Sequence, residues 1–388
     1  MRDGFVRLGD VCTISGGYTP KPSQLFPEGD IPYFKVADMN RIGNEISLCY
    51  TDQYLKEARK VFPKGAIVFP KNGGAVATNK KRILAHDAVV DLNTGIAIPR
   101  ERVDNQYLFY YFQGIDFKCF IKEGTLPVLR TKEIANLPFY FPSLPEQQRI
   151  VDILDREFAK IDALKANAEK SLQAAKDLFQ ATLKKGLEPK EGWSVAEIGS
   201  VCLKTDNIKW RDIPEDKEYT YIDLTSVDRS TKSVVEPQRI KKSNAPSRAQ
   251  RLVCEDDIVF ATTRPTLRRY CIITEQYDGQ ICSTGFCVLR PDKRKVRPSW
   301  LFLCLSTDAF YDYVEPLQTG ATYPAITDKD VKGYTISLPT ITEQDDIVSR
   351  LNDLNDKSNT LQENYQKTLT LCDDLKLSLL RKAFNGEL

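Results

Sequence analysis

Two basic, polar loops hold the residues best suited to chemistry in this chain. The first lies in FPKNGGAVATNKKR, inside a stretch from Arg59 to His86 that has seven basic residues and no acidic one. The second lies in FATTRPTLRRY, and no acidic residue falls between Ile258 and Thr274. Arginine can fork onto guanine, asparagine can bind adenine and lysine neutralises phosphate, while glycine lets the backbone approach closely. Both loops therefore suit contacts with nucleic acid.

The candidate binding residues are the basic, polar and glycine positions of these two loops. They are Lys71, Asn72, Gly73, Gly74, Thr78, Asn79, Lys80, Lys81 and Arg82 in the first loop, and Thr262, Thr263, Arg264, Thr266, Arg268 and Arg269 in the second. For either loop alone, a solvated basic turn is the alternative. Their presence at equivalent places in a repeated chain favours a binding surface.

Within this set we predict two different roles. Arg264 is expected to contact a base, because Pro265 stiffens its loop and a fixed guanidinium can fork onto guanine. Lys80 and Lys81 are expected to hold phosphate, because adjacent ammonium groups on flexible stems discriminate poorly between bases.

Catalytic chemistry finds little support in the sequence. His86 is the only histidine, and it lies in RILAHDAVV, which is typical of a strand and predicts a core or edge residue. The chain has no nucleotide-binding glycine motif and no C-x-x-C pair among its ten cysteines. Carboxylate chemistry stays open, although no cluster marks a site. We predict a non-catalytic chain without a metal site.

The elements that must position the two loops are themselves repeated. PEQQRIVDIL, residues 145–154, returns as TEQDDIVSRL, residues 342–351, after 197 residues. Apolar residues follow each copy in steps of three and four, with Ser358 as a polar exception, which predicts amphipathic helices over 145–186 and 342–388. A helix of about 60 Å with one apolar stripe requires a partner, and the other copy is the obvious one.

The repeat extends backwards through the whole chain. The matching segments are VRLGDVC with AEIGSVC, GAIVFP with DDIVFA, NTGIAIPR with STGFCVLR, and GTLPVLRTKEI with GATYPAITDKDV. The distance between matching residues increases from 190 to 197 along the chain. The fold class predicted is α+β: two mixed α/β domains over 1–144 and 187–341, each followed by a long helix. The two helices are expected to pack against each other.

The bulk composition sets few limits. The chain has 388 residues, which suggests two or three domains, and a net charge of +2. The first residues, MRDGFVRLGD, are charged, and no apolar run is long enough to cross a membrane. We therefore predict a cytoplasmic protein.

Several segments together resemble one known family. LPEQQRIVDILDREFAKIDAL, ITEQDDIVSRLNDLNDKSNTL, ISGGYTPKPSQLFPEGDIPYFKVADM and LLRKAFNGEL are similar to the specificity subunit of Type I restriction–modification systems, and the resemblance covers essentially the whole chain. It implies two target-recognition domains that each read half of a bipartite double-stranded DNA sequence. The two helices would pack as an antiparallel coiled coil, which relates the domains by pseudo-twofold symmetry. They would set the spacing of the halves and dock two DNA adenine-methyltransferase subunits, which restriction/translocase subunits join.

The resemblance also implies where cofactors and partners bind. S-adenosylmethionine, ATP and Mg²⁺ would belong to the partner subunits, since this chain has no NPPY-type tetrapeptide and no helicase phosphate loop. Docking is expected at the repeated helix starts, namely at Glu146, Gln147, Ile150, Leu154, Glu343, Gln344, Ile347 and Leu351. The second copy departs from the first by TEQDD for PEQQR, which alters one docking surface. Two alternatives stay open: a coiled-coil scaffold that binds only protein, and a subunit of a methylation-only or other defence system.

Overall fold

The structure is a computed structural model that describes residues 4–122, 124 and 126–388. Residues 1–3, Glu123 and Thr125, the last of which belongs to the predicted repeat GTLPVLRTKEI, lie outside the described residues. The chain divides into two compact units. Unit 1 comprises Met1–Glu169 and Lys367–Leu388, and unit 2 comprises Lys170–Gln366. Each long helix therefore contributes one segment to each unit.

Unit 1 places short strands and three short helices before a long helix. Its elements are β1 (Phe5–Arg7), α1 (Leu8–Val11), β2 (Cys12–Gly16), β3 (Ile31–Phe34), β4 (Ser47–Leu48), β5 (Tyr54–Leu55), β6 (Ile67–Pro70), β7 (Arg82–Leu84), β8 (Val89–Val90), β9 (Thr94–Pro99), α2 (Asn105–Gln113), β10 (Ile121–Lys122), β11 (Val128–Leu129), α3 (Thr131–Ala135), β12 (Pro138–Tyr140) and α4 (Leu144–Leu187). The main sheet has the order β2-β9-β6-β7-β4, beside a sheet of order β5-β3-β8 and the pairs β1-β12 and β10-β11.

Unit 2 repeats this plan. Its elements are β13 (Ser194–Glu197), β14 (Cys202–Leu203), β15 (Glu218–Ile222), β16 (Gln238–Lys241), β17 (Ala249–Leu252), β18 (Ile258–Ala261), β19 (Tyr270–Ile272), β20 (Ile281–Ser283), β21 (Phe286–Pro291), α5 (Pro298–Ser306), α6 (Asp308–Val314), α7 (Asp328–Lys332), β22 (Thr335–Leu338) and α8 (Ile341–Phe384). The sheets have the orders β14-β21-β18-β19 and β16-β15-β20-β17, with β13-β22 as a separate pair.

The central strands are apolar because both of their faces are covered. Every residue of β6 and of β18 is buried, which explains why GAIVF and DIVFA read as continuous apolar runs rather than as alternating ones. The predicted α+β repeat, with each unit followed by a long helix, is confirmed. Two details of the sequence interpretation are corrected below.

The first correction concerns the register of the repeat. Ile67 of β6 faces Ala97 of β9, and the equivalent Ile258 of β18 faces Leu289 of β21. The offset along β9 and β21 is therefore 192, so the match of NTGIAIPR with STGFCVLR is two residues out of register. A shift by two keeps every side chain on its own face of the sheet, so the sequence pattern does not reveal the error.

The second correction concerns His86. The strand predicted over RILAHDAVV is interrupted, since β7 ends at Leu84 and β8 begins at Val89. His86 lies between them and is exposed. Asp87 holds this turn, because its Oδ1 accepts a hydrogen bond of 2.8 Å from the Lys64 N–H. The prediction of a core or edge histidine was wrong.

The long helices pair antiparallel inside each unit. In unit 1, Lys165 of α4 forms an ion pair of 2.7 Å with Asp373 of α8, and Asp162 pairs with Lys376. In unit 2, the Ser358 hydroxyl of α8 donates to the Ala175 carbonyl of α4 over 3.3 Å. This contact accounts for the one polar position in the apolar stripe. The structure begins and ends α4 one residue beyond the predicted bounds, and it ends α8 at Phe384 rather than Leu388.

Candidate DNA interface

The first loop begins where β6 ends, and a second segment of unit 1 supports its backbone. The Gly73 N–H donates to the Pro127 carbonyl over 2.8 Å, and the Leu129 N–H donates to the Lys71 carbonyl over 2.9 Å. Gly73 has a φ of 81°, a conformation that glycine adopts without strain. The loop is therefore fixed by main-chain bonds before any side chain contributes.

The second loop has the same support in unit 2. The Arg264 N–H donates to the Pro324 carbonyl over 2.6 Å, and the Ile326 N–H donates to the Thr262 carbonyl over 3.0 Å. Arg264 thus occupies the place of Gly73 and also has a positive φ, of 50°. A left-handed conformation is uncommon for an arginine, and such strain is concentrated at functional sites.

The Arg264 side chain is held at the surface of unit 2. Its Nη2 donates to the Thr322 carbonyl over 3.1 Å, and its guanidinium carbon lies 4.8 Å from the centre of the Tyr323 ring. The Tyr323 side chain is 66% exposed. The guanidinium is therefore oriented by one carbonyl and one aromatic ring while it remains exposed to solvent. This geometry suits the forked contact that the sequence predicted.

Tyr323 and its segment were missed as site residues from the sequence. The signal was present in the repeat, because GATYPAIT answers GTLPVLRT and Leu126, which is 60% exposed, stands at the place of Tyr323. Spacing alone could not show that this segment pairs with the basic loop, since the two are separated by about sixty residues of chain.

The accessible part of the first loop is smaller than predicted. Gly74 and Thr78 are exposed, and the Lys80 ammonium contacts Asn40 Oδ1 while it remains partly exposed. Asn72 is half-buried and its side chain donates to Asn93 Oδ1 over 3.4 Å. Lys71 is also half-buried. These residues stay candidates for contacts with DNA.

Lys81 does not suit the predicted phosphate contact. Its side chain is 1% exposed, and its ammonium donates to Asn79 Oδ1 over 2.7 Å and to the Ile115 carbonyl. It also lies 4.3 Å from the centre of the Phe117 ring. Burial lowers the pKa of Lys81 to about 7. The structure therefore contradicts a phosphate contact here, because the ammonium is enclosed by its own unit.

Asn79 serves the same internal network. Its Oδ1 accepts the Lys81 ammonium and, over 2.9 Å, the Phe117 N–H. Asn79 adopts a left-handed conformation with a φ of 56° and ends the short 3₁₀ helix of the loop. Its side-chain oxygen is therefore committed to the fold, and its assignment to base contact is corrected.

Arg82 and Arg269 were also predicted as DNA contacts, and both face inward. Arg82 donates to the Asn44, Lys81 and Met39 carbonyls over 2.6, 2.8 and 3.1 Å. Arg269 donates from Nη1 to the Leu224 and Val227 carbonyls over 3.0 and 2.9 Å. Both side chains are half-buried. Their assignment to direct contact is corrected, because the Nε and both Nη atoms of Arg82 and the Nη1 of Arg269 bond to backbone carbonyls of their own units.

The remaining residues of the second loop divide between fold and surface. Thr262 is buried and its hydroxyl donates to the Gly285 carbonyl over 2.9 Å, which removes it from the candidates. Thr263 is half-buried and bridges to Ala325, whereas Thr266 is exposed. Arg268 pairs with Asp308 over 2.6 Å and lies 4.1 Å from the Tyr311 ring centre. Arg264 and Thr266 are therefore the most accessible members.

The repeated glutamines at the helix starts bind their own units. Gln147 is fully buried: its Oε1 accepts the Asp104 N–H over 2.9 Å, and its Nε2 donates to the Arg102 and Pro142 carbonyls over 3.0 Å each. Gln344 has the same three-bond pattern in unit 2, with Arg297 N–H, Lys295 and Pro339. The prediction that these glutamines dock partners is corrected, since no face of either side chain is open.

The apolar docking candidates are buried as well. Ile150 and Leu154 belong to the core of unit 1, beside Leu380 and Phe384 of α8. Ile347 and Leu351 belong to the core of unit 2. The sequence stripe predicts the buried face of a helix, and this face packs against the helix's own unit rather than against another protein.

The two glutamates remain at the surface and stabilise the helix starts. Glu343 accepts the Thr340 N–H and hydroxyl over 2.9 and 2.8 Å, which forms a capping box that lowers the pKa of Glu343. Glu146 instead pairs with Arg149 over 2.7 Å. Threonine in place of proline in the second copy, TEQDD, thus lies inside a capped first turn.

Exposed leucines interrupt the polar faces of both helices. In unit 1 they include Leu164, Leu371 and Leu375, and in unit 2 they are Leu178 and Leu361, and these five have exposed fractions from 47% to 64%. None of these positions was predicted as a docking residue. Exposed apolar side chains are typical of protein interfaces where they form a contiguous patch.

In the described part of the chain, no helix is both long and apolar enough to span a membrane. The same residues contain no group of three or more potential ligands that could hold a metal ion.

Two repeated α+β units, each closed by a segment of the helix pair and each presenting a braced loop, define a duplicated recognition protein. A family model for the Type I restriction modification DNA specificity domain matches residues 4–174 and 190–371. The chain belongs to this family. Its family and its role in DNA target recognition, both predicted from the sequence, are confirmed.

Individual relatives agree over nearly the full length. The StySPI specificity subunit of Salmonella potsdam is 23% identical over 98% of this chain and 88% of that protein. The EcoKI specificity subunit of Escherichia coli strain K12 is 22% identical over 98% of this chain and 88% of that protein. A structure from work on assembly and conformational transition of the type I R-M system superposes with a TM-score of 0.76 at 20% identity, covering 99% of this chain and 98% of that one. The crystal structure of the HsdS subunit from Thermoanaerobacter tengcongensis superposes with a TM-score of 0.57 at 19% identity, covering 100% of this chain and 98% of that one.

Proposed function

We propose that each unit reads one half of a bipartite DNA target, through the loop after β6 in unit 1 and the loop after β18 in unit 2. The observation that carries this proposal is the common brace of the two loops, in which Gly73 and Arg264 make the same backbone bond to Pro127 and Pro324. Because the loops share this brace and differ in side chains, they suit two different base sequences. Arg264, oriented by Thr322 and Tyr323, is the leading base contact in unit 2.

The chain itself would contribute recognition and no catalysis. We propose that methyl transfer and DNA translocation belong to two DNA adenine-methyltransferase subunits and to restriction/translocase subunits. S-adenosylmethionine, ATP and Mg²⁺ would bind to those partners. The sequence supports this division because it has neither an NPPY-type tetrapeptide nor a helicase phosphate loop.

Partner docking would use the exposed leucines rather than the buried helix starts. Leu164, Leu371 and Leu375 lie near the Lys165–Asp373 ion pair in unit 1, and Leu178 and Leu361 occupy the corresponding helix segments of unit 2. One set of exposed leucines in each unit would suit one methyltransferase subunit for each unit. Burial of such side chains contributes about 1.5–3 kcal/mol each.

The test is DNA binding by the chain reconstituted with its methyltransferase partners, measured against salt. Phosphate contacts require the affinity for cognate DNA to fall steeply as the salt concentration rises. Lys80→Ala should lower the slope of the logarithmic plot by about one unit and weaken cognate and unrelated DNA alike. Lys160→Ala is the matched control, because it removes the same charge from an exposed lysine of α4 that pairs with Glu157.

Two outcomes would contradict the proposal. Loss of all specific DNA binding in the reconstituted complex would leave the coiled-coil scaffold as the better account. Equal salt slopes for parent, Lys80→Ala and Lys160→Ala would remove the first loop from the DNA surface.

A further inference from the structure

We infer that Arg82 and Arg269 are positioning residues for target reading: each fastens the DNA-reading loop of its unit to a rigid neighbouring loop. The reading loops are residues 71–81 in unit 1 and 262–268 in unit 2. The neighbouring loops are residues 39–50, which follow β3 and include the two-residue strand β4, and residues 223–235, after β15. This inference rests on the proposed function.

Each arginine lies at the end of its reading loop and reaches the neighbouring loop. Arg82 donates from Nε to the Asn44 carbonyl and from Nη2 to the Met39 carbonyl, and its Nη1 returns to the Lys81 carbonyl beside it. Arg269 donates to the Leu224 and Val227 carbonyls. The acceptors lie roughly forty residues away along the chain in both units. A planar guanidinium suits this task, because its donors point in fixed and divergent directions.

The neighbouring loop of unit 1 is rigid enough to serve as an anchor. Asn44 is fully buried, and its side chain makes four backbone bonds. Its Nδ2 donates to the Asp38 and Tyr50 carbonyls over 2.9 and 2.8 Å. Its Oδ1 accepts the N–H groups of Cys49 and Tyr50 over 2.9 and 3.0 Å. One buried side chain therefore ties residues at both ends of this loop together, which fixes its conformation.

The neighbouring loop of unit 2 is fixed by different residues. Asp223 accepts the Thr225 and Ser226 N–H groups over 2.7 and 3.0 Å. Asp228 accepts the Ser230 and Thr231 N–H groups over 2.8 and 2.7 Å. In unit 2, turns capped by carboxylates replace the buried asparagine of unit 1. In both units, however, an arginine bonds the end of the reading loop to the neighbouring loop.

A second cation joins the two loops in each unit. In unit 1, the Lys80 ammonium of the reading loop contacts Asn40 of the neighbouring loop. In unit 2, the direction is reversed: the Lys232 ammonium of the neighbouring loop donates to the Arg268 carbonyl and lies 4.3 Å from the Tyr270 ring centre. In unit 1 the pairing of β4 with β7 adds a further link. These links argue that reading and neighbouring loops form one fixed surface in each unit.

The consequence is that Arg82 and Arg269 affect base selection without contacting DNA. Arg82 bonds to backbone carbonyls through Nε and both Nη atoms, and Arg269 bonds to two carbonyls through Nη1, so each guanidinium is turned toward its own unit rather than toward phosphate. A loop that is released samples several conformations, and a base-reading side chain on it then meets cognate and altered bases with similar energy. Discrimination should fall while the number of phosphate contacts stays the same.

The experiment compares Arg269→Gln with the parent in the reconstituted methyltransferase complex. Binding is measured on duplexes with single-base changes in either half of the target, at two salt concentrations. We expect discrimination to fall about tenfold for changes in one half and to stay unchanged in the other, with an unchanged salt slope. Arg82→Gln should produce the same loss in the opposite half. Arg269→Lys should not restore discrimination, because an ammonium cannot reproduce the guanidinium's fixed donor geometry.

Arg290→Gln is the control for a general loss of stability. It removes another half-buried arginine of unit 2, one that bonds to Asp257 before β18 over 2.9 and 2.7 Å and contacts neither loop. If Arg290→Gln lowers discrimination as much as Arg269→Gln does, the inference is wrong. A salt slope reduced by one unit with intact discrimination, or full rescue by lysine, would instead show a direct phosphate contact. Failure of the parent complex to bind specifically would contradict the proposed function. The positioning role of Arg82 and Arg269 would then be excluded as well, because it rests on that function.

Discussion

At the residue scale, the two basic loops contain both exposed and buried cations. Arg264 is exposed on Tyr323, whereas Lys81 is enclosed among Asn79, Ile115 and Phe117. Composition predicts that the loops are basic, and this much could be read from the sequence. It does not predict which cations find carbonyl acceptors inside the unit, because those acceptors are brought together only by the tertiary fold.

Arg264 tests whether the second loop reads bases. Arg264→Ala should cost about 1–3 kcal/mol on cognate DNA and relax one base position in only one half of the target. The reason is that a fixed guanidinium distinguishes guanine through two bonds, which alanine cannot make. Binding of the methyltransferase complex to single-base variants measures this effect.

Arg294→Ala is the matched control, since Arg294 is an exposed arginine of unit 2 that pairs with Asp292 and lies outside both loops. It should leave the base preference intact. Equal weakening of all sequences by Arg264→Ala would remove Arg264 from base reading.

Lys81 should make the stability of unit 1 depend on pH. Its folded pKa of about 7 lies below the ordinary value of 10.5, because burial disfavours the charged form. Below about pH 7 both folded and unfolded chains hold the proton, and between these two values the unfolded chain holds more. The free energy of unfolding should therefore rise with pH above 7, by up to about 1.4 kcal/mol per pH unit from this group.

The measurement is denaturant unfolding of the parent and of Lys81→Met between pH 6.5 and 9. The difference in unfolding free energy between the two should change in favour of the parent as pH rises. Lys80→Met, which changes the adjacent and partly exposed lysine, should keep the pH dependence of the parent. A difference between parent and Lys81→Met that is independent of pH would contradict the buried, proton-releasing lysine.

At the element scale, the repeated helix starts connect each long helix to the loop before a short helix, α2 in unit 1 and α5 in unit 2. Sequence reasoning located α4 and α8 to within a residue at their starts, because a forty-residue apolar stripe without proline or glycine leaves little choice. It misassigned Gln147 and Gln344. A buried polar side chain and an exposed docking side chain look alike in one sequence, and only the three-bond pattern in the fold separates them.

Gln147→Ala should destabilise unit 1 by about 1–3 kcal/mol, because it leaves the Asp104 N–H and two buried carbonyls without their partner. Gln148→Ala, the control one residue later, breaks only an exposed bond to Asp152 and should change stability by about 0.5 kcal/mol or less. Thermal unfolding of both variants is the measurement. Unchanged stability of Gln147→Ala together with weaker binding of the methyltransferase subunit would restore the docking role.

At the scale of the whole molecule, duplication is the feature that the sequence predicts best. The repeated segments give the number of units, the order of their elements and the equivalence of the two loops. The brace between Thr263 and Ala325, and between Asn72 and Val128, could not be predicted, because it joins segments far apart in the chain. The central claim is that two similar units read two different half-sites.

The most direct test of this claim is a genomic map of methylated adenines in a host that carries this chain with its methyltransferase partners. Two similar but unequal loops predict that all modified sites share two fixed blocks of bases, different from each other and separated by a gap of constant length and free sequence. A single uninterrupted block, or sites with no bases in common, would contradict the account.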